Sequence, residues 1–293
     1  MVLARTVWGA SGEVLLSRGT VLTPEAISAL GRCGPGAVWV ADGGPDPEDL
    51  VSDRLRAEAA KQLQDLFSAV SCGASGAAVS SLVRRLCEIA GGIVEEVLSA
   101  PAGADPVAVQ VSSGWGIQHA VDVAAGCVLL GARLGLGGAA LRELALGGLL
   151  HDVGKVRIPP EVLNRPGPLT PWEWDLMRQH PVWGCEIVAW LGLDEALAGC
   201  MAWQHHERQD GRGYPRGLRG TNRAAPCLEF PGGDRIALCA EICAVADVYS
   251  TMRSDRPYRP GVPPEEAVRG LREVAGTQLN RELVDLFLVY NAV

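Results

Sequence analysis

Between residues 50 and 97 apolar side chains return every three or four positions: Leu50, Leu55, Ala59, Leu63 and Leu66, then Leu82, Leu86, Ile89, Ile93 and Val97 after a break at Gly73-Ala74-Ser75-Gly76. That spacing puts them on one stripe of an α-helix, so the stretch predicts two amphipathic helices. The pattern before it is different. Val14-Leu15-Leu16 is a short apolar run after a Ser11-Gly12 turn, and Ala37-Val38-Trp39-Val40 reads as a strand closed by Asp42-Gly43-Gly44-Pro45. Between them Thr23-Pro24-Glu25 has the form of an N-cap followed by proline at the first helical position. Residues 1 to about 41 therefore predict strand, hairpin, helix and strand.

After the linker Pro101-Ala102-Gly103-Ala104-Asp105-Pro106, nearly every segment has helical periodicity. Helices are predicted near 117–135, 138–151, 171–179, 181–192, 194–208, 234–253, 264–275 and 280–290. Thr170-Pro171-Trp172-Glu173 forms a capping box, and Pro181 restarts a helix directly after His180. No internal repeat, P-loop or dinucleotide glycine fingerprint is present. The expected architecture is mainly all-α, in three parts: a small α/β module over 1–45, a helical connector or dimerising pair over 46–105, and a helical bundle over 106–293.

A chain of 293 residues can bury a sizeable core without disulfide staples. The charge-free stretch Leu66–Val83 is broken by serines and glycines, and the apolar run between Asp122 and Arg133 is too short to span a bilayer. Met1 is followed by Val-Leu-Ala-Arg, which is not a signal peptide, so a soluble cytoplasmic protein is expected. Nine cysteines include no Cys-x-x-Cys pair; Cys127, Cys239 and Cys243 lie in apolar stretches where a reduced thiol behaves as a small hydrophobe. The formal net charge of -8 argues against a broad nucleic-acid surface. A small phosphorylated ligand remains compatible with it, because Arg208, Arg212, Arg216, Arg219 and Arg223 form a local basic cluster that otherwise reads as a solvated loop.

All five histidines, His119, His151, His180, His205 and His206, fall in one stretch of the helical part. A lone histidine on an apolar helix is usually a hydrogen-bonded core residue. Two of these sites resist that reading. His151-Asp152 closes the apolar run Leu144-Ala145-Leu146-Gly147-Gly148-Leu149-Leu150, and His205-His206 is followed by Glu207. Imidazoles and carboxylates at the edge of an apolar core are costly unless a cation compensates them, and a divalent metal is the strongest compensator. Nitrogen and oxygen ligands without thiolate suit iron, manganese, cobalt or zinc in a hydrolytic site, and a carboxylate such as Asp152 can bridge two metals.

At these residues the chain resembles the HD-GYP domain, a branch of the HD superfamily of metal-dependent phosphohydrolases. The resemblance rests on His151-Asp152-Val153-Gly154-Lys155, on His205-His206-Glu207-Arg208-Gln209-Asp210-Gly211-Arg212-Gly213-Tyr214-Pro215, and on Ala246-Asp247-Val248-Tyr249 followed by Arg256-Pro257-Tyr258-Arg259. It extends from about residue 115 through Gly276-Thr277-Gln278-Leu279, with His180-Pro181 at the place of an isolated ligand histidine. It implies an HD-type helical bundle in which His119, His151, Asp152, His180, His205, His206 and Asp247 are metal ligands and Asp152 bridges. Lys155 would meet the scissile phosphate, Arg256 and Arg259 would hold substrate phosphates, and Tyr214 would face the substrate. Without the resemblance, Lys155, Arg256 and Arg259 would read as surface charges, Asp247 as the partner of an arginine and Tyr214 as a packed turn residue.

The implied activity is hydrolysis of cyclic di-GMP by a metal-bound hydroxide, giving linear pGpG or, after a second cut, GMP. Alternatives are another cyclic dinucleotide as substrate, or a receptor or scaffold that binds cyclic di-GMP or a diguanylate cyclase without turnover. Members with three metals carry a glutamate where this chain has Trp115, so two divalent ions, iron or manganese, are expected. Ser250 replaces the usual second aspartate after Asp247, Glu241 stands where the family usually has arginine, and Thr221–Gly233 is read as an insertion. The stretch from Gly12-Glu13-Val14-Leu15 through Arg18-Gly19-Thr20-Val21-Leu22-Thr23 resembles a segment often found before HD-GYP domains.

Overall fold

In a computed structural model of the chain, residues 1–4, 6–8, 14–33, 38, 40–41, 49–101, 116–193, 197–224, 234–254 and 261–289 are described. At the N-terminus, β1 (Val7–Trp8) runs antiparallel to β2 (Val14–Leu16), with Val7 opposite Leu16. Isolated bridges join Val2 to Val21 and Leu3 to Val40, the latter at the end of the run expected as a strand. α1 (Pro24–Cys33) starts at the expected cap, where the Thr23 hydroxyl accepts from the Ala26 N–H. Leu3, Val7, Leu22 and Leu30 bury together as a core of their own. The Thr6 hydroxyl donates to the Asp53 carboxylate, tying this module to the next helix.

That helix is α2 (Asp53–Ser71), capped by Ser52, and it turns back through Gly73 and Gly76 into α3 (Ala77–Ser99). Both glycines have positive φ, 66° and 76°, which is why a helix former does not stand there. The predicted stripes are buried: Ala59, Leu63 and Leu66 on α2, and Leu86, Ile89, Ile93 and Val97 on α3. The two helices expected as a connector do not stand apart from the bundle. Their stripes are continuous with the main core, and the periodicity that predicted the helices could not say what would cover them. Between α2 and α4, Arg56 and Asp122 pair at 2.6 Å, both side chains fully buried.

The bundle continues with α4 (Ile117–Arg133), buried on every side from Ala120 to Val128 and apolar there except for Asp122, and α5 (Gly138–Leu150). A 3₁₀ turn (Val153–Arg157) and α6 (Pro160–Leu163) follow; both are too short to show a period and were not expected from sequence. Next come α7 (Pro171–Met177), opened by the Thr170–Glu173 capping box, α8 (His180–Trp190) and α9 (Leu197–Gln204). The chain ends with α10 (Leu238–Arg253), α11 (Pro264–Val274) and α12 (Arg281–Leu288). α9 stops at Gln204 rather than running to 208, which leaves His205 and His206 on a turn. Among the described residues no helix is long and apolar enough to cross a membrane. Cys72, Cys87, Cys127, Cys185, Cys200, Cys239 and Cys243 are free thiols, and Cys127, Cys239 and Cys243 are buried, as expected of small hydrophobes.

Candidate metal centre

Five elements bring their ends or faces to one place. His119 lies in the first turn of α4, His151 caps α5, His180 opens α8, His205 and His206 follow α9, and Asp247 projects from α10. The approach of the His151-Asp152 turn to α8 requires glycine at 154: a Cβ there would lie 2.0 Å from the His180 carbonyl oxygen and 2.6 Å from the Gly184 nitrogen. With that contact made, Asp152 Oδ1 faces His180 Nε2 at 3.3 Å and His205 Nε2 at 3.7 Å, while Oδ2 faces His151 Nε2 at 3.3 Å. His119 Nε2 lies 3.0 Å from Asp247 Oδ1. The donor atoms form two groups, Asp152 with His180, His205 and His206, and His119 with His151 and Asp247, each within 4.8 Å of one another. All seven residues expected as ligands are thus brought together.

The imidazoles are pre-aimed. Nδ1 of His151 faces the Gly148 carbonyl at 2.8 Å, Nδ1 of His180 the Met177 carbonyl at 2.7 Å, and Nδ1 of His205 the Met201 and Ala202 carbonyls at 3.0 and 3.1 Å. A carbonyl only accepts, so the proton is assigned to Nδ1 and the Nε2 lone pair points inward. His119 Nδ1 is held differently, by the Ser250 hydroxyl at 2.8 Å. His151 Nε2 and Asp152 Oδ1 are buried without a partner in hydrogen-bond geometry, although they approach neighbouring groups. Each such atom costs about 1–3 kcal/mol unless a cation satisfies it, and a divalent metal fits the set.

Charge states agree with that fit. Burial alone would raise Asp152, but the Lys155 ammonium and His151 hold its carboxyl well below the usual carboxylate range. Burial likewise opposes Asp247, and its hydrogen bond and charge interaction with His119, with His151 and His206 behind them, hold it down. Burial lowers His119 and His180, and lowers His206 further with help from His205 and His180. For His151 burial is outweighed by Asp152 and Asp247, and the ring is raised. Ionised carboxylates beside mostly neutral imidazoles are the protonation states that bind a metal.

The centre opens into a cavity of about 790 Å³ whose wall includes Lys155, Arg178, Arg208, Arg212, Tyr214 and Gln278. Lys155 donates to Asp152 Oδ2. The Tyr214 ring stacks on His206, centroids 4.7 Å apart and planes 26° apart, and burial, with Asp152 and Asp247 nearby, pushes its hydroxyl up so that it stays protonated. This loop is held from below: the Glu207 carboxylate accepts from the Arg216 N–H at 2.7 Å and the Leu218 N–H at 2.8 Å. Gly213 is required, because a Cβ there would lie 2.5 Å from each of His206 O, Glu207 Cα and Arg208 N. Of the five clustered arginines only Arg208 and Arg212 line the cavity. Arg208 pairs with Asp210, Arg216 lies over Trp203 and Arg223 pairs with Glu282.

Arg256, Arg259 and Trp115 lie outside the described residues, as does 225–233 of the expected insertion. Glu241 is not in the cavity. It is buried, raised by that burial, and accepts from Gln209 Nε2 at 2.6 Å and Asn280 Nδ2 at 2.9 Å, fastening the segment after the ligands to the cap of α12. Sequence reasoning did not single out Trp174 and Arg178, which line the cavity, or the contact of Ser250 with His119. The spacing Asp247 to Ser250, one helical turn, was the available signal for the last.

Residues 108–283 match the family model described as HD domain. The chain belongs to the HD domain family. It is 38% identical over 170 residues to cyclic di-GMP phosphodiesterase PA4108 of Pseudomonas aeruginosa, covering 58% of this chain and 38% of that protein. A cyclic di-GMP phosphodiesterase of Thermotoga maritima is 36% identical over 157 residues, covering 53% and 39%. The 3'3'-cGAMP-specific phosphodiesterase 1 of Vibrio cholerae is 32% identical over 196 residues, covering 67% and 42%. The matched stretch therefore spans about two fifths of each of these relatives. Among solved structures, Bd1817, an HDG"Y"P protein from Bdellovibrio bacteriovorus, superposes with a TM-score of 0.57 over 98% of this chain and 94% of that one at 16% identity, a likeness of fold.

Proposed function

We propose that the chain hydrolyses a phosphodiester bond of cyclic di-GMP, using two divalent metal ions, iron or manganese, held by His119, His151, Asp152, His180, His205, His206 and Asp247. The observation that carries this reading is the division of these residues into two donor groups at the floor of a cavity, with Asp152 turned toward both. Bound divalent metal would supply an activated water and neutralise charge on the phosphate. The protein's part follows from its own groups. Asp152 and Asp247 remain ionised and hold the cations. Lys155, beside Asp152 on the cavity wall, offers positive charge to a phosphoryl oxygen, and Tyr214 offers a neutral hydroxyl donor. Arg256 and Arg259 are proposed to hold the substrate phosphates. The names of the Pseudomonas and Thermotoga relatives support cyclic di-GMP. A second reading, 3'3'-cGAMP, is favoured by the name of the Vibrio relative described above. A cytoplasmic setting belongs to the same proposal.

The test is anaerobic purification, loading with Fe(II) or Mn(II), and chromatography of products from cyclic di-GMP and 3'3'-cGAMP in parallel. Accumulation of pGpG or GMP supports the proposal. Tight binding of cyclic di-GMP with no product in either metal would establish a receptor instead.

A further inference from the structure

We infer that Trp174 and Arg178, on the cavity wall, form a subsite that receives a nucleobase and prefers guanine. The inference rests on the cyclic-dinucleotide reading above. Trp174 leaves 45% of its surface exposed although the indole is among the most apolar of side chains, and it faces the cavity. The Arg178 guanidinium lies 5.6 Å from the Trp174 ring centre and 5.8 Å from that of Tyr214. Tyr214 in turn stacks on His206 at 4.7 Å. A ladder of four flat groups therefore runs from the exposed indole to the metal-ligand cluster, and its inner end is where a scissile phosphate would sit.

Flat aromatic and guanidinium surfaces are what single nucleobases stack on, since every base presents a π-face. A phosphate clamp is built differently, from cations free to turn their donors to the anion, whereas Arg178 is held against two rings. Of the other arginines of this cavity, Arg165 is committed to Glu173 and Arg208 to Asp210. Among the described residues no carboxylate partners Arg178, so its edge donors are available to a ligand. Guanine offers O6 and N7 together as acceptors to such a fork; adenine sets a donor amino group beside N7. The preference for guanine follows from that difference.

The test measures affinities of the full-length, Mn(II)-loaded chain for GMP, AMP and ribose 5-phosphate by calorimetry, in wild type, Trp174→Ala, Arg178→Ala and Arg178→Lys. Both side chains are exposed, so melting temperatures should match. Either alanine is expected to weaken GMP about tenfold while ribose 5-phosphate stays within about twofold. Arg178→Lys keeps the charge and should lose most of the preference for GMP over AMP. Equal weakening of GMP and ribose 5-phosphate would make Arg178 a phosphate clamp and overturn the inference, as would GMP affinities that do not move. Turnover of cyclic di-GMP by the wild type is measured alongside. If it proceeds while the variants bind GMP normally, the base subsite alone falls; if the wild type turns over no cyclic dinucleotide, the functional reading falls and takes the subsite with it.

Discussion

Ser250→Ala tests how α10 holds the centre. Asp247 and Ser250 are one helical turn apart and grip the two edges of the same ring: Asp247 meets His119 Nε2 at 3.0 Å and Ser250 meets Nδ1 at 2.8 Å. Ser250 has no exposed surface and His119 only 5%, so the lost hydroxyl is not replaced by bulk water. With Nε2 given to a metal, the ring proton of His119 sits on Nδ1 and donates to Ser250 Oγ; left buried without that acceptor, the N–H costs about 1–3 kcal/mol, which corresponds to roughly 5- to 150-fold in an equilibrium constant. Loss of outer partners of metal-bound histidines falls in the same range, about 10- to 100-fold. The variant should therefore bind Mn(II) on the order of tenfold or more weakly in a calorimetric titration. Alanine favours helix, so α10 itself should not suffer. If Mn(II) affinity of Ser250→Ala stays within about twofold of wild type at equal melting temperature, either His119 is not a ligand or its orientation does not depend on Ser250.

Removing Arg56 takes away the cation facing the buried Asp122 carboxylate; Arg56→Met should cost about 3–5 kcal/mol, lowering the melting temperature by roughly 6–20 °C. Arg56→Met/Asp122→Leu should recover most of that loss, and a single variant that melts like wild type would show the pair to be dispensable. Glu241→Gln turns an amide NH₂ toward Gln209 Nε2 or Asn280 Nδ2. Neither partner can flip, because Gln209 Oε1 accepts from Asn222 N and Asn280 Oδ1 from Leu283 N, so a loss of about 1–3 kcal/mol is expected in denaturant melts. Stability unchanged in that variant would contradict the donor assignment. In metal-free protein, His119, His180 and His206 are lowered by burial and His151 is raised. The unfolded chain then takes up more protons below about pH 6.5, the ordinary histidine value, and stability must fall on acidification. His151 opposes this in part, whereas the depressed Asp152 and Asp247 add to it near pH 4. A metal-free melting temperature that rises between pH 7 and pH 5 would refute the sign.

Much of this was legible in the residues. The 3.6-residue period of α2 and α3, the Thr170–Glu173 box and the Thr23-Pro24 start each translate one local rule into structure. His151-Asp152 and His205-His206 were conspicuous because ionisable groups closed apolar runs. What stayed hidden depended on tertiary neighbours. The stripes of α2 and α3 do not reveal that α4 and α5 cover them. The 3₁₀ turn at 153–157 is shorter than any period. Ser250 reads as a missing carboxylate until His119, on another helix, is seen against it. Trp174 and Arg178 look like exposed face until the cavity forms beside them.

The bridging position of Asp152 is tested most directly by metal analysis of anaerobically purified wild type and Asp152→Ala at matched folding. Wild type is expected to carry two divalent ions per chain, and the variant to lose metal from both donor groups, because Oδ1 faces His180 and His205 while Oδ2 faces His151. Three ions in the wild type, or an undiminished metal content in Asp152→Ala, would contradict a two-metal centre joined by this carboxylate.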